Sequence, residues 1–192
     1  MKKLNSKGFT LIELLAVITI MGILMLVAIP AVSRTIENSR RDTFADISKE
    51  YVNAVRNAVL ADNITCGTGA NAMVASATPD GEYYFPIDTT QQNTKDLMEA
   101  GGKSPFGSSE MKGYVRWKKS TAANTGKTTT VYFISLSDTG KHGLSTDTSN
   151  KKPNELSEIE IKRANVITNL SNVAATDPTA PSGVTITKCQ LS

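Results

Sequence analysis

The sequence predicts an α+β fold, in which one long N-terminal α-helix packs on a mostly antiparallel β-sheet. An uncharged apolar run covers residues 14–32. Apolar residues then recur at helical spacing as far as Asn63, with charged residues between them. Beyond Gly67, short runs of aromatic and β-branched residues alternate with turn-forming segments, which is typical of strands in a sheet.

Length and composition fit one folded domain with an appended segment. The 192 residues are 40% hydrophobic and 20% charged, which excludes disorder over the whole length. The formal net charge of +3 comes from Lys2, Lys3 and Lys7, because 18 basic side chains outside them balance 18 acidic ones. That balance provides no basic stripe for phosphate groups, so we expect no nucleic-acid partner.

The apolar run at residues 14–32 is long enough to cross a bilayer, since roughly 20 apolar residues span a hydrocarbon core about 30 Å thick. The lysines before this run place the N-terminus in the cytoplasm and the chain after Arg34 outside it. A secretory signal would have a shorter apolar core and a small-residue cleavage site, whereas Ser33 and Arg34 lead directly into a charged helix.

Glu13 argues against a plain membrane anchor. It lies at the start of the apolar run, where an unpaired carboxylate is costly and a neutral residue would serve an anchor better. We therefore expect Glu13 to have a partner.

Residues 7–13, with the sequence KGFTLIE, resemble the N-terminal signature of type IV prepilins and type II secretion pseudopilins. The resemblance combines a short basic leader, Gly8, a following Phe9, Glu13 four residues further on, and a long apolar helix. It covers roughly residues 7–35. It implies a type IV pilin-like fold, with a cleaved leader at residues 1–8, a transmembrane and filament-core helix at 9–33, an amphipathic continuation at 34–62 and a globular β-sheet domain at 63–192.

The same resemblance implies a processing site. In that family a membrane peptidase cuts after the glycine and methylates the new amine, which places the cut between Gly8 and Phe9 and the methyl group on Phe9. A new ammonium group at the N-terminus of a helix opposes the helix dipole, and the Glu13 carboxylate one turn later complements it. Glu13 could pair with Phe9 of its own chain, or with Phe9 of a neighbouring copy, which would set the axial register of a polymer.

Gly22 and Pro30 occupy positions where many members of the family have helix-loosening residues. Pro30 removes one backbone hydrogen bond and bends a helix. A simple kink is one interpretation. The other is that residues 22–30 unwind when copies leave the bilayer and pack in a filament.

The elements of the exported part follow from local patterns. The amphipathic stripe of the helix contains Ile36, Phe44, Ile47, Tyr51, Val55 and Val59. Strands are predicted at residues 82–85, 114–118, 130–136 and 184–187, with a hairpin loop at 121–126 and short helices at 94–100 and 156–170.

Cys66 and Cys189 are the only cysteines, and outside the cytoplasm we expect them to form one disulfide. Two buried free thiols are the alternative. Two sulfurs and the lone His142 are too few ligands for a closed zinc site, so we expect no metal and no cofactor. His142 lies in a turn-like segment; a catalytic triad with a serine is conceivable, but we expect no enzyme.

The resemblance implies a structural subunit of a type IV pilus for adhesion, motility or aggregation. Its partners would be prepilin peptidase, other copies of itself, the lipid bilayer before assembly, and a membrane assembly platform with its ATPase. It would be a single-pass protein of the cytoplasmic membrane and then part of an extracellular filament. A pseudopilin of a secretion or DNA-uptake system is the first alternative. A membrane-anchored extracytoplasmic binding protein that never polymerises is the second.

Overall fold

The computed structural model describes residues 9–98, 103–107 and 110–192. The chain divides into two compact units, Met1–Ser39 and Arg40–Ser192. Gly8 and the rest of the predicted leader lie outside the described residues, as does Ala100 at the end of a predicted short helix. The helices are α1 (Leu11–Leu60) and α2 (Gln92–Leu97), and the strands are β1 (Ile64–Cys66), β2 (Met73–Val74), β3 (Gly81–Asp88), β4 (Met111–Thr121), β5 (Thr128–Asp138), β6 (Gly143–Leu144), β7 (Leu156–Ser157), β8 (Val166–Ile167) and β9 (Ile186–Leu191).

In the first unit, α1 is exposed on every side. All described residues up to Ser39 are exposed, and the large apolar side chains are among them. The helix runs through Gly22 and Pro30 without a break. A helix that is apolar all round needs an apolar environment, and within its own unit nothing covers this one.

In the second unit, α1 packs one face into the core. The predicted stripe is confirmed from Phe44 onward, because Phe44, Tyr51, Val55 and Val59 are buried, whereas Ile36 in the first unit is exposed. Ile47 is half-buried and packs at the edge of the core. The remaining buried residues of this face are Ala45, Ser48 and Val52.

The sheet has the order β2-β1-β9-β3-β4-β5-β6-β8, and β7 pairs with β5 outside this path. The predicted strands at residues 82–85, 114–118 and 130–136 lie within β3, β4 and β5. These three strands are antiparallel neighbours, and alternate side chains on one face enter the core. One cross-strand row is Tyr83, Trp117 and Tyr132, and the next is Phe85, Val115 and Ile134.

The last strand of the sheet in chain order, β9, is an internal strand. It pairs in parallel with β3 and antiparallel with β1, and the β3–β9 pair is the only parallel one among the described strands. The sequence placed this strand too early, because β9 begins only at Ile186 and runs through Cys189 to Leu191. Cys189 lies directly opposite Cys66 of β1, and the two form a buried disulfide.

The predicted helix at residues 156–170 is wrong. The segment contains β7, a 3-10 turn at Glu158–Glu160, a second at Arg163–Asn165, and β8. Ser157 and Glu160 form a capping box that begins a turn, but the Asn165 side chain donates to the Glu160 carbonyl oxygen at 2.7 Å. Asn165 thereby takes an acceptor that a continuing helix would use for its own backbone.

An ion pair joins the second of these turns to α1. Arg163 Nε donates to Asp42 Oδ1 at 2.6 Å, and Arg163 Nη2 donates to Asp42 Oδ2 at 2.5 Å. The hydrogen bonds from the guanidinium lower the pKa of Asp42. A bidentate pair of this kind fixes orientation as well as distance.

Candidate functional site

The first turn of α1 is closed by Thr10 and Glu13. The backbone N–H and the hydroxyl of Thr10 each donate to Glu13 Oε2 at 2.8 Å. In return the Glu13 backbone N–H donates to Thr10 Oγ1 at 3.3 Å. This is a capping box, in which the residue before the helix and the third helical residue satisfy each other's backbone donors. It also places the carboxylate at the positive end of the helix dipole.

In the uncut chain the Glu13 carboxylate has Thr10 as its partner. The pairing of Glu13 with the amine of Phe9, in its own chain or in a neighbouring copy, stays a prediction. Phe9 lies just before the capping box and is 86% exposed. While residues 1–8 are attached, the nitrogen of Phe9 is an uncharged peptide nitrogen and cannot form that ion pair. The Thr-x-x-Glu spacing was the signal that could have predicted the observed pair.

The apolar run at residues 14–32 contains one hydroxyl group, that of Thr19, and it is satisfied within the helix. Thr19 Oγ1 donates to the Ala16 carbonyl oxygen at 2.8 Å, and just beyond the run Thr35 Oγ1 donates to the Ala31 carbonyl oxygen at 3.0 Å. Such bonds let a polar side chain lie in an apolar environment without an external partner. The run is therefore compatible with hydrocarbon along its length.

Gly22 and Pro30 lie about 12 Å apart along the helix axis. A Cβ at Gly22 would meet no atom within 4 Å, so packing within the chain does not require glycine there. Pro30 lies inside the helix and has no N–H, which leaves the carbonyl oxygen four residues earlier, that of Leu26, without its helical donor. Both residues lower the cost of unwinding this stretch, by different means.

By length and composition, α1 can cross a membrane, and it is the only such helix among the described residues. Leu26 and Val27 near the middle of the run are 78% and 76% exposed, although both are strongly apolar. Neither side chain gains anything from the fold of its own unit. The exposed surface is therefore one that a bilayer or other helices must cover.

His142 belongs to a separate cluster in the second unit. The fully buried carboxylate of Asp138 accepts from Ser104 Oγ at 2.6 Å and from the His142 backbone N–H at 2.8 Å. His142 Nδ1 lies 2.9 Å from Asp138 Oδ2, and its ring stacks on Phe106 at 4.3 Å between centroids.

The order of these three polar groups differs from that of a catalytic triad. In a triad the imidazole stands between the hydroxyl and the carboxylate, so that it can remove the hydroxyl proton. In this cluster the Asp138 carboxylate stands between Ser104 and His142. The imidazole therefore does not act on the serine, and the cluster joins two loops to the end of β5.

Candidate metal ligands are not grouped in the described parts of the chain. Within residues 9–98, 103–107 and 110–192, no three or more His, Cys, Asp and Glu side chains are placed to hold one ion. Cys66 and Cys189 are bonded to each other.

Comparison with known proteins places a family signature on the same helix. A family model described as the prokaryotic N-terminal methylation motif matches residues 3–29. Neither the curated proteins nor the solved structures give a significant match. The matched range includes the predicted cut site, the Thr10–Glu13 capping box and most of the apolar run. Residues 3–29 of this chain are therefore a type IV prepilin-like signal, the prokaryotic N-terminal methylation motif.

Proposed function

We propose that this chain is a structural subunit of a type IV pilus, which is trimmed at its N-terminus, held in the membrane by α1 and polymerised through that helix. The observation that carries the proposal is the prepilin-like signal on a helix whose apolar surface is exposed all round. Before assembly a bilayer covers this surface, and after assembly the helices of other copies do so.

The chemistry of the first turn supports a change of partner for Glu13. In the uncut chain its carboxylate is held by Thr10. Cleavage after Gly8 creates an ammonium group on Phe9, which N-methylation leaves able to carry its charge. Glu13 can then meet the Phe9 amine of a neighbouring copy, where little water screens the two charges. Such a pair fixes the axial register of the polymer even where its net contribution to stability is small.

The charge pattern and the disulfide support export of the second unit. Lys2, Lys3 and Lys7 precede the apolar run, which favours a cytoplasmic N-terminus. The second unit holds the Cys66–Cys189 bond, and disulfides persist outside the cytoplasm. In this arrangement the β-sheet unit is the surface that the filament presents for adhesion, motility or aggregation, and a membrane assembly platform with its ATPase drives assembly.

Residues 22–30 have a proposed role in the passage from bilayer to filament. In the single chain this stretch is helical throughout, and only the bond that Pro30 cannot donate to the Leu26 carbonyl is missing. Gly22 and Pro30 lower the cost of breaking them, so the stretch can lengthen when copies pack around a common axis. Unbroken helical hydrogen bonding at residues 22–30 in a filament reconstruction would contradict this role.

The decisive experiment is intact mass measurement and N-terminal sequencing of protein sheared from the cell surface. We expect a chain that begins at N-methylated Phe9, recovered in long filaments. An intact Met1 in the surface material would overturn the proposal. Deletion of the prepilin peptidase is the matched control, and it should leave the uncut chain in the membrane fraction.

Filament length separates this proposal from its nearest alternative, a pseudopilin of a secretion or DNA-uptake system. Both predict the same processed N-terminus, whereas only a pilus subunit gives long filaments at native expression. A membrane-anchored binding protein that never polymerises predicts no filaments, and Glu13→Ala would change nothing in it. In a pilus subunit the same substitution should abolish or strongly reduce assembly.

A further inference from the structure

One edge of the sheet is open where β5 leaves the core. β5 pairs with β4 along its whole length, from Thr128 to Asp138. On its other side it pairs with β7 only at Phe133 and Ile134, and with β6 only at Ser137. Residues 128–132, here called the open edge, have no partner strand on that side among the described residues. Thr128, Thr129, Thr130 and Val131 are all exposed.

The open edge lacks the features that usually protect a strand from pairing with another chain. Exposed edges are commonly blocked by charged side chains, proline, a bulge or very short length. Residues 128–132 have the sequence TTTVY, with no charge and no proline, and their register with β4 is regular. The terminal strands of the sheet, β2 and β8, are by contrast only two residues long. The open edge is thus the longest unpaired strand edge among the described elements.

We propose that the open edge of β5 is a docking site for the open edge of a second copy of this chain, paired antiparallel about a two-fold axis. An axis through Thr130 sets Thr130 against its own copy, Thr129 against Val131, and Thr128 against Tyr132. Each of these pairs joins side chains on the same face of the two sheets, as an antiparallel ladder requires.

The second copy is favoured as occupant by charge and by length. None of the five residues is charged, so self-pairing places no like charges opposite each other, and threonine pairs across strands are favourable. β7 occupies the edge from Phe133 onward, which limits the pairing to the same five residues on both copies.

This contact differs from the one that builds the proposed polymer. Copies in a head-to-tail filament are related by a screw operation, whereas a two-fold contact relates two identical surfaces and closes on itself. The open edge therefore joins copies in two different filaments, or two free chains, and its role is lateral association. The lateral association of filaments rests on the proposed function, because it requires filaments. The pairing of two copies does not, since it involves the second unit alone.

Cysteine cross-linking of the full chain in detergent tests the pairing without any filament. Thr130→Cys places two thiols directly opposite each other across the axis, where Cβ atoms lie about 5 Å apart. We expect a reducible dimer at twice the monomer mass. Thr125→Cys, an exposed residue of the adjoining hairpin loop, is the matched control and should stay monomeric. No dimer from Thr130→Cys, or equal dimer from both variants, would overturn the proposal.

Charged substitutions of Thr130 test whether the same pairing joins filaments laterally. Thr130→Lys and Thr130→Glu each place like charges opposite each other, and each should abolish lateral association of filaments seen by electron microscopy. Mixed filaments of the two variants should associate again, because the pair is then of opposite charge. Bundles that persist in both single variants, or a failure of the mixture to restore them, would point to a partner other than a second copy. Filaments of normal length in the unmodified protein and in both variants agree with the proposed function. Absence of filaments in the unmodified protein would contradict the proposed function. The cross-linking test of the pairing would not depend on that result.

Discussion

At the scale of single residues, the capping box separates two roles that Glu13 can have. As a cap it needs only an acceptor for the donors of Thr10, and a neutral amide at the same position also serves that purpose. As the partner of a Phe9 amine it needs its charge. A carboxylate at the start of an apolar run is costly, so the choice of Glu over Gln favours the second role in addition to the first.

Paired substitutions distinguish the two roles. Glu13→Gln keeps the capping box and removes the charge, whereas Thr10→Val removes the hydroxyl and keeps the charge. We expect Glu13→Gln to abolish or strongly reduce filament yield. Thr10→Val should cost about 1 kcal/mol of helix stability and reduce the yield only modestly. The measurement is the amount of processed chain in sheared surface material, relative to processed chain in the membrane.

The opposite ranking would contradict a charge role. If Thr10→Val eliminates filaments while Glu13→Gln forms them normally, then Glu13 serves the chain as a helix cap alone.

The sequence predicted a partner for Glu13 and named the Phe9 amine, whereas in the uncut chain the partner is Thr10. We predicted a partner for Glu13 because an unpaired carboxylate at the start of an apolar run is costly. That cost depends only on the position of Glu13 in the run. The partner in the single chain is Thr10, because the backbone at the start of the helix brings its N–H and hydroxyl within hydrogen-bond distance of the carboxylate. This contact forms within one chain and does not require a second copy.

At the scale of elements, the well-predicted parts are those with a repeating pattern. The helical face with Phe44, Tyr51 and Val55, and the alternating strands β3, β4 and β5, were predictable because each repeats its pattern over at least two turns or several residue pairs. β6, β7 and β8 are two residues long and have no period to detect.

The helix prediction at residues 156–170 was wrong for a related reason. Its apolar residues approximate a helical face, but Ile159 on that face is 81% exposed while Ile161 is buried. Two 3-10 turns and a side-chain bond to a backbone carbonyl replace the helix. The spacing of apolar residues does not show whether a side chain will compete with the backbone for the same acceptor.

The ion pair between this segment and α1 predicts a pH dependence. The folded pKa of Asp42 is lowered by Arg163, so its contribution is present above the unfolded value of about 4 and is lost as the pH falls through the folded value. We expect Asp42→Asn to be less stable than the unmodified chain at pH 7, and we expect this difference to be smaller at pH 3. Urea denaturation of the full chain in detergent at both pH values measures this difference.

The control for the experiment on Asp42 is the same substitution made in a chain that lacks its ion-pair partner. In an Arg163→Met chain the partner is absent, so Asp42→Asn should change the stability little at either pH. A difference of the same size in both backgrounds would show that Asp42 acts through some other group.

At the scale of the whole molecule, the disulfide was predictable while the place of its strand in the sheet was not. Two cysteines leave one possible intramolecular pairing, and the structure joins them across 123 residues. The order of the strands depends on contacts between distant parts of the chain. No local pattern in residues 186–191 indicates that they lie between β1 and β3.

Removing the disulfide should lower the stability of the second unit substantially. In the chain-entropy estimate, releasing a loop of this length costs about 5 kcal/mol of unfolding free energy. We expect Cys66→Ala with Cys189→Ala to show this loss in urea denaturation. The reduced form of the unmodified chain should show a similar loss, and reductant should not affect the double variant. Equal denaturation midpoints for oxidised and reduced chains would contradict the prediction.

The internal position of β9 has a consequence for the order of events during export. In the proposed orientation β1 and β3 would leave the cytoplasm first, and β9, which lies between them in the sheet, would be the last strand to emerge. Until residues 186–191 had crossed, the sheet would have a gap in its interior and Cys66 would have no disulfide partner. Under the proposed export, formation of the disulfide would therefore report that β9 has crossed the membrane, and a chain stalled earlier would expose a free thiol.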